Sequence, residues 1–484
     1  MTTARRLLAG ASWVYGAQLL TVLAQFAYAA ITSRAVGPDG FGAYAVALAV
    51  TGLVSLLATG GLGQTISRMN VMDQARIRPL LTYALILGVV CGLFLLLTAP
   101  FWGWLWGVES SSNPIRWLAI SCSLSPFLGL ATGLLARTGK FRNLAMITLG
   151  SNILGMVVGG LAVLHWQTAS SLVVSTSVAQ IMTLVGALLA SERGLLGLST
   201  LRKGQTDISY SGKLTSTNML SYVTGNIVKF SMVRGIDAAS LGHWNRAEVL
   251  TSIPMQQIQA ALIRAVYPEF RHDIQESDRA KTVWTDMLIL VAGASLMLSA
   301  AALVLVPPVV PLLFGPGWET AALLAGPLAI AGGLQIVSTL LASAVEALGR
   351  FRWIVSTEAI LIGLQVIAAI FVLVTRNLWV AVLALVLTNV VRHGWHVFLL
   401  GRQGYLDVRR LLANYLFLVG ISFIVALALW CSLELVKMSS SSFVYLILAL
   451  FAAFIPISAG LVLRDRLPMV VIARKYGILP PSRT

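Results

Sequence analysis

Polar side chains recur at helical spacing inside stretches that are otherwise apolar. Asn218, Tyr222, Asn226 and Lys229 follow one another in steps of four, four and three, which puts them on one helix face. Gln18 and Gln25, seven apart, share a face of another helix, with Tyr15 and Thr32 near the same line. Glu248, Ser252, Gln256 and Gln259 form a third stripe, with Pro254 beside them as a kink. Arg34 and Arg234 end two of these helices. Arg pairs with phosphate in bidentate fashion and Lys acts on it as a point charge, while amides suit sugar hydroxyls. The expected ligand is therefore a polyhydroxylated anion. Lys229, Arg34 and Arg234 are the candidates for phosphate, and Gln18, Gln25, Asn218, Tyr222, Asn226, Gln256 and Gln259 for sugar. Acidic residues are scarce at mid-helix. Asp286, Glu346 and Glu358 sit near one set of helix ends and Glu248 near the other, which disfavours an organic cation and leaves Glu248 as the candidate for ion coupling.

Each of these residues also has a plainer reading. Amides between membrane helices serve as hydrogen-bonded glue. Lys229, about four residues from a helix end, can snorkel to the interface, and the two arginines can anchor there. Polar stripe-mates favour the cavity reading for Lys229, and equivalence of position favours it for Arg34 and Arg234. Nothing points to catalysis or to a cofactor. There is no phosphate-binding glycine loop, no nucleophile–base pair and no metal-ligand cluster. His165, His243 and His272 are scattered, and His393 with His396 beside Arg392 reads as interface anchoring. Cys91, Cys122 and Cys431 lie in apolar runs as small packing residues. Gly155 and Gly159 read as a helix-packing pair.

The elements that carry these stripes must be membrane helices. Of 484 residues, 57% are hydrophobic and 11% charged, against about 25% charged in an ordinary soluble protein. Fourteen runs are long enough to span. They are Gly10–Ile31, Phe41–Gly61, Leu80–Pro100, Ile115–Ala136, Leu144–Leu164, Ser170–Ala190 and Leu214–Val233, then Leu250–Pro268, Trp284–Val306, Ala321–Leu348, Ile354–Val374, Leu378–Leu400, Leu411–Cys431 and Phe443–Leu463. Met1–Arg6 is short and basic, and the run after it reads as a first membrane helix rather than a cleaved signal. With the N-terminus cytoplasmic, 27 of the 34 Lys and Arg fall in inner segments and six in outer ones, Lys229 lying within a span. That is the positive-inside asymmetry. It accounts for the net charge of +16 without nucleic acid, and it places both termini in the cytoplasm.

The chain repeats itself. Ser33-Arg34-Ala35 through Phe41-Gly42-Ala43-Tyr44 is echoed 200 residues on by Val233-Arg234-Gly235 through Leu241-Gly242-His243-Trp244. Gly139-Lys140-Phe141-Arg142 returns 210 residues on as Gly349-Arg350-Phe351-Arg352. Pro100 corresponds to Pro307 and Pro308, each expected to close a helix. The expected fold is an all-α polytopic membrane protein of fourteen helices. Residues 1–190 form one six-helix bundle, 191–213 a cytoplasmic linker, 214–400 a second bundle parallel to the first, and 401–484 two further helices and a tail. Parallel repeats of this kind occur in transporters whose halves rock about a central site.

The run Ser33-Arg34-Ala35-Val36-Gly37-Pro38-Asp39-Gly40-Phe41-Gly42-Ala43-Tyr44, preceded by Gly10 and Trp13 and followed by Gly60-Gly61-Leu62-Gly63-Gln64 and Arg68, resembles the polysaccharide and O-antigen flippases of the multidrug, oligosaccharidyl-lipid and polysaccharide exporter superfamily. The resemblance implies movement of a polyprenyl-diphosphate-linked oligosaccharide from the cytoplasmic to the outer leaflet of a bacterial inner membrane. It also implies alternating access, drive from an ion gradient or the membrane potential, and a polymerase with chain-length machinery as neighbours. Three readings rank below it. A lipid II flippase would carry more arginine in its first helices. A drug or cation antiporter would have twelve helices and cavity carboxylates. A membrane polymerase or acyltransferase would show a large outer loop or a surface His/Asp pair.

Overall fold

The computed structural model describes residues 3–59, 61–69, 74–191, 197, 199–273, 277–437 and 467–475. In chain order the helices are α1 (Thr3–Ala35), α2 (Pro38–Thr59), α3 (Leu62–Arg68), α4 (Gln74–Trp106), α5 (Ser112–Arg137), α6 (Phe141–Trp166), α7 (Ser171–Ala190) and α8 (Gln205–Gly235). They continue as α9 (Ala238–Leu250), α10 (Ser252–Asp273), α11 (Ser277–Phe314), α12 (Glu319–Ala347), α13 (Phe351–Thr375), α14 (Leu378–Arg402), α15 (Val408–Lys437) and α16 (Pro468–Lys475). Thirteen of the fourteen expected spans fall on these helices. The last, 443–463, lies outside the described residues. Among the described residues, ten helices are long and apolar enough to cross a membrane. Leu97 is 76% exposed and Leu416 77%, exposure that suits helices facing lipid.

Two expectations about helix ends are corrected. Pro100 does not close its helix, because α4 runs through it to Trp106, and α11 likewise runs through Pro307, Pro308 and Pro311 to Phe314. A proline forfeits one backbone hydrogen bond, a loss that membrane helices absorb with local adjustment. Conversely, the eighth span is not one helix with its upstream residues. The chain breaks at Thr251 and restarts as α10 with Pro254 in its first turn. In a continuous helix the nitrogen at 254 would bond the Leu250 carbonyl, and proline has no hydrogen to give.

The described chain divides into two units. The first comprises residues 1–245 with 314–317 and 372–376, and the second comprises 246–313, 318–371 and 377–484. In the first, α1 lies along α6, α2 along α5, and α6 and α7 pack tightly as a pair, while α8 packs on α2, α3 and α4. Gly155 and Gly159 permit the α6–α7 approach, since a Cβ on either would strike Ser175. Their reading as a packing pair holds. The core beside α3 is built from Leu62, Ile66, Ile77, Leu80, Leu130 and Leu134. In the second unit, Trp284, Leu288, Leu340, Leu341, Leu400 and Leu418 form the core, and Ile472 of α16 joins it. Cys91 and Cys122 are buried as expected, whereas Cys431 is exposed.

The repeat reappears as paired contacts within the first unit. A Cβ on Gly42 would strike the Ala238 carbonyl, and one on Gly242 would strike the Pro38 carbonyl. This is one contact made twice under the 200-residue offset, which is the mark of a two-fold relation. Arg34 and Arg234 behave alike. A Cβ on Gly107 would lie 2.7 Å from Arg234 Nη1, and one on Gly315 would lie 3.5 Å from Arg34 Cγ. Both glycines hold the left-handed backbone, φ 72° and 85°, so they end α4 and α11 while leaving room for an arginine. The Gly139 and Gly349 turns also match, with φ 72° and 67°, ahead of α6 and α13.

This contact yields a first prediction. Gly42→Ala and Gly242→Ala should each destabilise by roughly 1–3 kcal/mol through overpacking. Gly225→Ala on α8 meets nothing within 4 Å and should be neutral or slightly stabilising. Melting of the purified protein in detergent separates them, and equal melting of all three would contradict the close crossing.

Candidate functional site

The structure distributes the expected site residues as follows. Arg34, Lys229, Arg234, Gln25, Tyr222 and Asn226 belong to the first unit, and Glu248, Gln256 and Gln259 to the second. Gln18 and Asn218 lie on α1 and α8, with side chains outside the described set. Arg34 and Arg234 are exposed, each against its glycine turn, and Lys229 is half-buried. The Tyr222 hydroxyl donates to the Ala49 carbonyl of α2 at 2.9 Å, threading past Gly52, where a Cβ would collide with it. Asn226 Nδ2 donates to the Tyr222 carbonyl one turn back at 2.8 Å. Gln256 is exposed. Gln259 is half-buried, and its Oε1 is buried without a hydrogen bond among the described residues.

Gln25 opens onto a cavity inside the first unit of about 670 Å³. Its polar lining includes Tyr28, Thr59, Asn152, Gln180 and Thr183, contributed by α1, α2, α6 and α7. No lining residue is charged. Most of the hydroxyls in these helices satisfy themselves locally. Thr132 donates to Leu128, Thr148 to Leu144 and Thr183 to Ala179. The Gln180 Oε1 is different: it is buried and accepts nothing among the described residues. A neutral acceptor left bare in a low-dielectric interior costs about 1–3 kcal/mol, so it is placed to receive a donor such as a hydroxyl. Sequence reading missed Asn152 and Gln180. Each is one amide in its helix, so neither makes a stripe, and only the packing of several helices assembles them.

Titratable groups concentrate elsewhere. In the second unit Asp286, fully buried, meets Arg410 Nη2 and Lys475 Nζ, each at 2.6 Å. His396 is 3% exposed and shares a 3.1 Å hydrogen bond with Thr357, while His393 shares one of 3.1 Å with Tyr415. The expectation that His393 and His396 anchor at the interface is therefore corrected: both rings turn into the helix packing. Among the described residues no group of three His, Cys, Asp or Glu is placed to hold a metal.

Comparison with known proteins fits this arrangement. Residues 31–323 match the family described as polysaccharide biosynthesis protein. The chain is 22% identical over 382 residues to the succinoglycan biosynthesis transport protein ExoT of Rhizobium meliloti (strain 1021), covering 77% of this chain and 76% of that protein. It is 19% identical over 381 residues to the lipopolysaccharide biosynthesis protein WzxC of Escherichia coli (strain K12), covering 76% and 77%. In fold it is similar to the lipid II flippase MurJ in an inward closed conformation, with a TM-score of 0.69 over 93% of this chain and 99% of that one at 9% identity. It is also similar to an inward-facing multidrug resistance MATE transporter, with a TM-score of 0.61 over 79% and 95% at 17% identity. The family match covers more than half of the chain, and the multi-pass membrane fold agrees with it: the chain belongs to the family of polysaccharide biosynthesis proteins.

Proposed function

We propose that the protein flips a polyprenyl-diphosphate-linked oligosaccharide from the cytoplasmic to the outer leaflet of a bacterial inner membrane by alternating access, driven by an ion gradient or the membrane potential. The observation that carries this reading is the family match over residues 31–323. Relatives named for succinoglycan and lipopolysaccharide favour a polysaccharide repeat unit over a peptidoglycan precursor. Lys229, Arg34 and Arg234 hold the diphosphate. Gln18, Gln25, Asn218, Tyr222, Asn226, Gln256 and Gln259 contact sugar, and Glu248 is one carboxylate available for ion coupling. The protein makes and breaks no bond in its substrate. The membrane around it supplies the lipid partners, and a polymerase with its chain-length machinery takes the flipped unit. Both termini and residues 191–213 face the cytoplasm.

The experiment is complementation. The gene should restore surface polysaccharide to a strain whose own flippase gene is deleted, and failure at normal membrane level would remove the reading. Reporter fusions after Arg202 and at Thr484 should be active only with a cytoplasmic reporter, and an active periplasmic reporter at either point would overturn the topology. A third prediction concerns the cavity. Gln180→Leu removes a bare buried acceptor, so melting should stay level or rise while surface polysaccharide falls. Unchanged polysaccharide would take the cavity out of the transport path.

A further inference from the structure

The second unit buries a group of ionisable side chains that the diphosphate and sugar site does not use. Glu358 of α13 faces Arg392 of α14, with Nη2 3.8 Å from Oε1 and side chains only 15% and 23% exposed. His396 stands one turn beyond Arg392 on the same helix, and His393 is its neighbour. Each histidine spends Nε2 on a hydroxyl, Thr357 or Tyr415. Among the described residues, Glu358 Oε2, Arg392 Nε, His393 Nδ1 and His396 Nδ1 are all buried without a hydrogen bond. The group lies roughly 10–15 Å inside the helix ends near residues 350 and 402, at 1.5 Å per residue. Ionisable groups at that depth are expensive, and such groups mark ion pathways and proton relays. This one is not built for stability. The same chain makes a tight bidentate pair where Arg76 grips Asp207 at 2.7 Å, whereas Arg392 and Glu358 are loosely apposed.

We propose that Glu358, Arg392, His393 and His396 form a proton-binding site that couples flipping to the transmembrane proton gradient, an inference that rests on the flipping function proposed above. The carboxylate faces the guanidinium, and each imidazole keeps Nδ1 open to a proton. A proton taken from water at the 350/402 end onto an imidazole nitrogen adds a second cation beside Arg392. Two cations then compete for one carboxylate, which the 3.8 Å separation leaves free to shift between them. Surrounding elements supply little to quench that charge. α12, packed along α14, brings Glu319 in its first turn and an exposed Glu346 in its last. α13 adds Arg350 just before its start and Arg352 in its first turn. α14 adds Arg402 at its end. α15 brings Tyr415 with Arg409 and Arg410 in its first turn, and Arg410 is held by Asp286 together with Lys475.

The test uses the purified full chain in lipid nanodiscs, perfused from about pH 8 down to about pH 3.5, so that buried as well as exposed histidines are covered. Infrared difference spectra should show imidazole protonation in the wild type. His393→Gln and His396→Gln should each remove part of that signal, and Glu358→Gln should move its midpoint down by roughly one pH unit, because an opposite charge has been lost. In a complemented strain the same variants, at wild-type membrane level, should lower surface polysaccharide at least about tenfold, while Glu319→Gln stays near wild type. If His396→Gln fails to accumulate, His393→Gln and the wild-type spectrum still decide. A wild type without the imidazole signal, or spectra unaltered by all three substitutions, overturns the inference. So does a variant that loses the signal yet keeps full polysaccharide. If the wild-type gene itself fails to complement, the flipping function falls, and the spectra still report on the proton site.

Discussion

Lys229→Ala is expected to abolish surface polysaccharide at unchanged membrane level, and Lys229→Arg to retain part of it. The diphosphate is the costliest part of the substrate to desolvate, while the polyprenyl tail can stay in lipid throughout. A fixed cation in a region of reduced dielectric offsets that cost far better than a charge in water. Lys229 is half-buried on α8, three residues from the buried Met232 and five from the exposed Arg234. Charge-assisted hydrogen bonds are worth about 1.5–3 kcal/mol, so losing one should cost roughly 10- to 100-fold in transport. The arginine variant keeps the charge and loses the compact ammonium geometry, hence a partial phenotype. A dense cationic cluster would trap the anion, which suits a site where one or two cations hold it in passing. Gln18→Ala should be milder than Lys229→Ala. If Lys229→Ala transports normally, the lysine snorkels, and the anion site lies nearer Arg34.

The largest expected effect on stability belongs to Asp286. Its carboxylate is fully buried between Arg410 of α15 and Lys475 of α16, and so ties α11 to both. Breaking a buried ion pair costs about 3–5 kcal/mol when the remaining charge is stranded. Arg410 and Lys475 are 42% and 50% exposed and can recover water, which discounts that figure. Asp286→Ala should therefore destabilise by about 2–3 kcal/mol, lowering the melting temperature in detergent by several degrees. α16 should also become accessible to protease, since Lys475 is one of its anchors and burial of Leu467 and Ile472 the other. Unchanged melting and unchanged protection would show that the ion pair contributes nothing to holding the C-terminal helix.

Much of this architecture was legible in the sequence because lipid imposes simple arithmetic. Apolar runs of about twenty residues locate helices, and the 200-residue echo of Arg34 and Gly42 in Arg234 and Gly242 locates the repeat. What the echo could not disclose is why those residues recur. Gly42 and Gly242 let two helix starts touch, and Gly107 and Gly315, far away in sequence, make room for the two arginines. Proline was read too simply. Pro100 and Pro307 pass inside helices, whereas Pro254 coincides with a real restart, so the presence of a proline does not by itself mark a helix end. Histidine depth was equally hidden. His393 and His396 sit near a basic helix end in sequence, and only the neighbouring Thr357 and Tyr415 turn them inward. Stripes such as Asn218 to Lys229 are visible because one helix carries them. The cavity beside Gln25 draws single polar residues from several helices, so no periodicity announced it.

The central claim is that this chain carries the lipid-linked sugar across the bilayer, and a flipping assay with purified protein tests it most directly. Polyprenyl-diphosphate oligosaccharide is incorporated in both leaflets of sealed liposomes, and the sugar on the outer leaflet is then oxidised with membrane-impermeant periodate. Without protein, about half of the sugar should remain protected. With the wild-type chain and a transmembrane ion gradient or potential, nearly all of it should become oxidised with time, and with Lys229→Ala the protected half should persist. A protected half that persists with the wild-type chain, in vesicles shown to be sealed and to contain folded protein, would contradict the account.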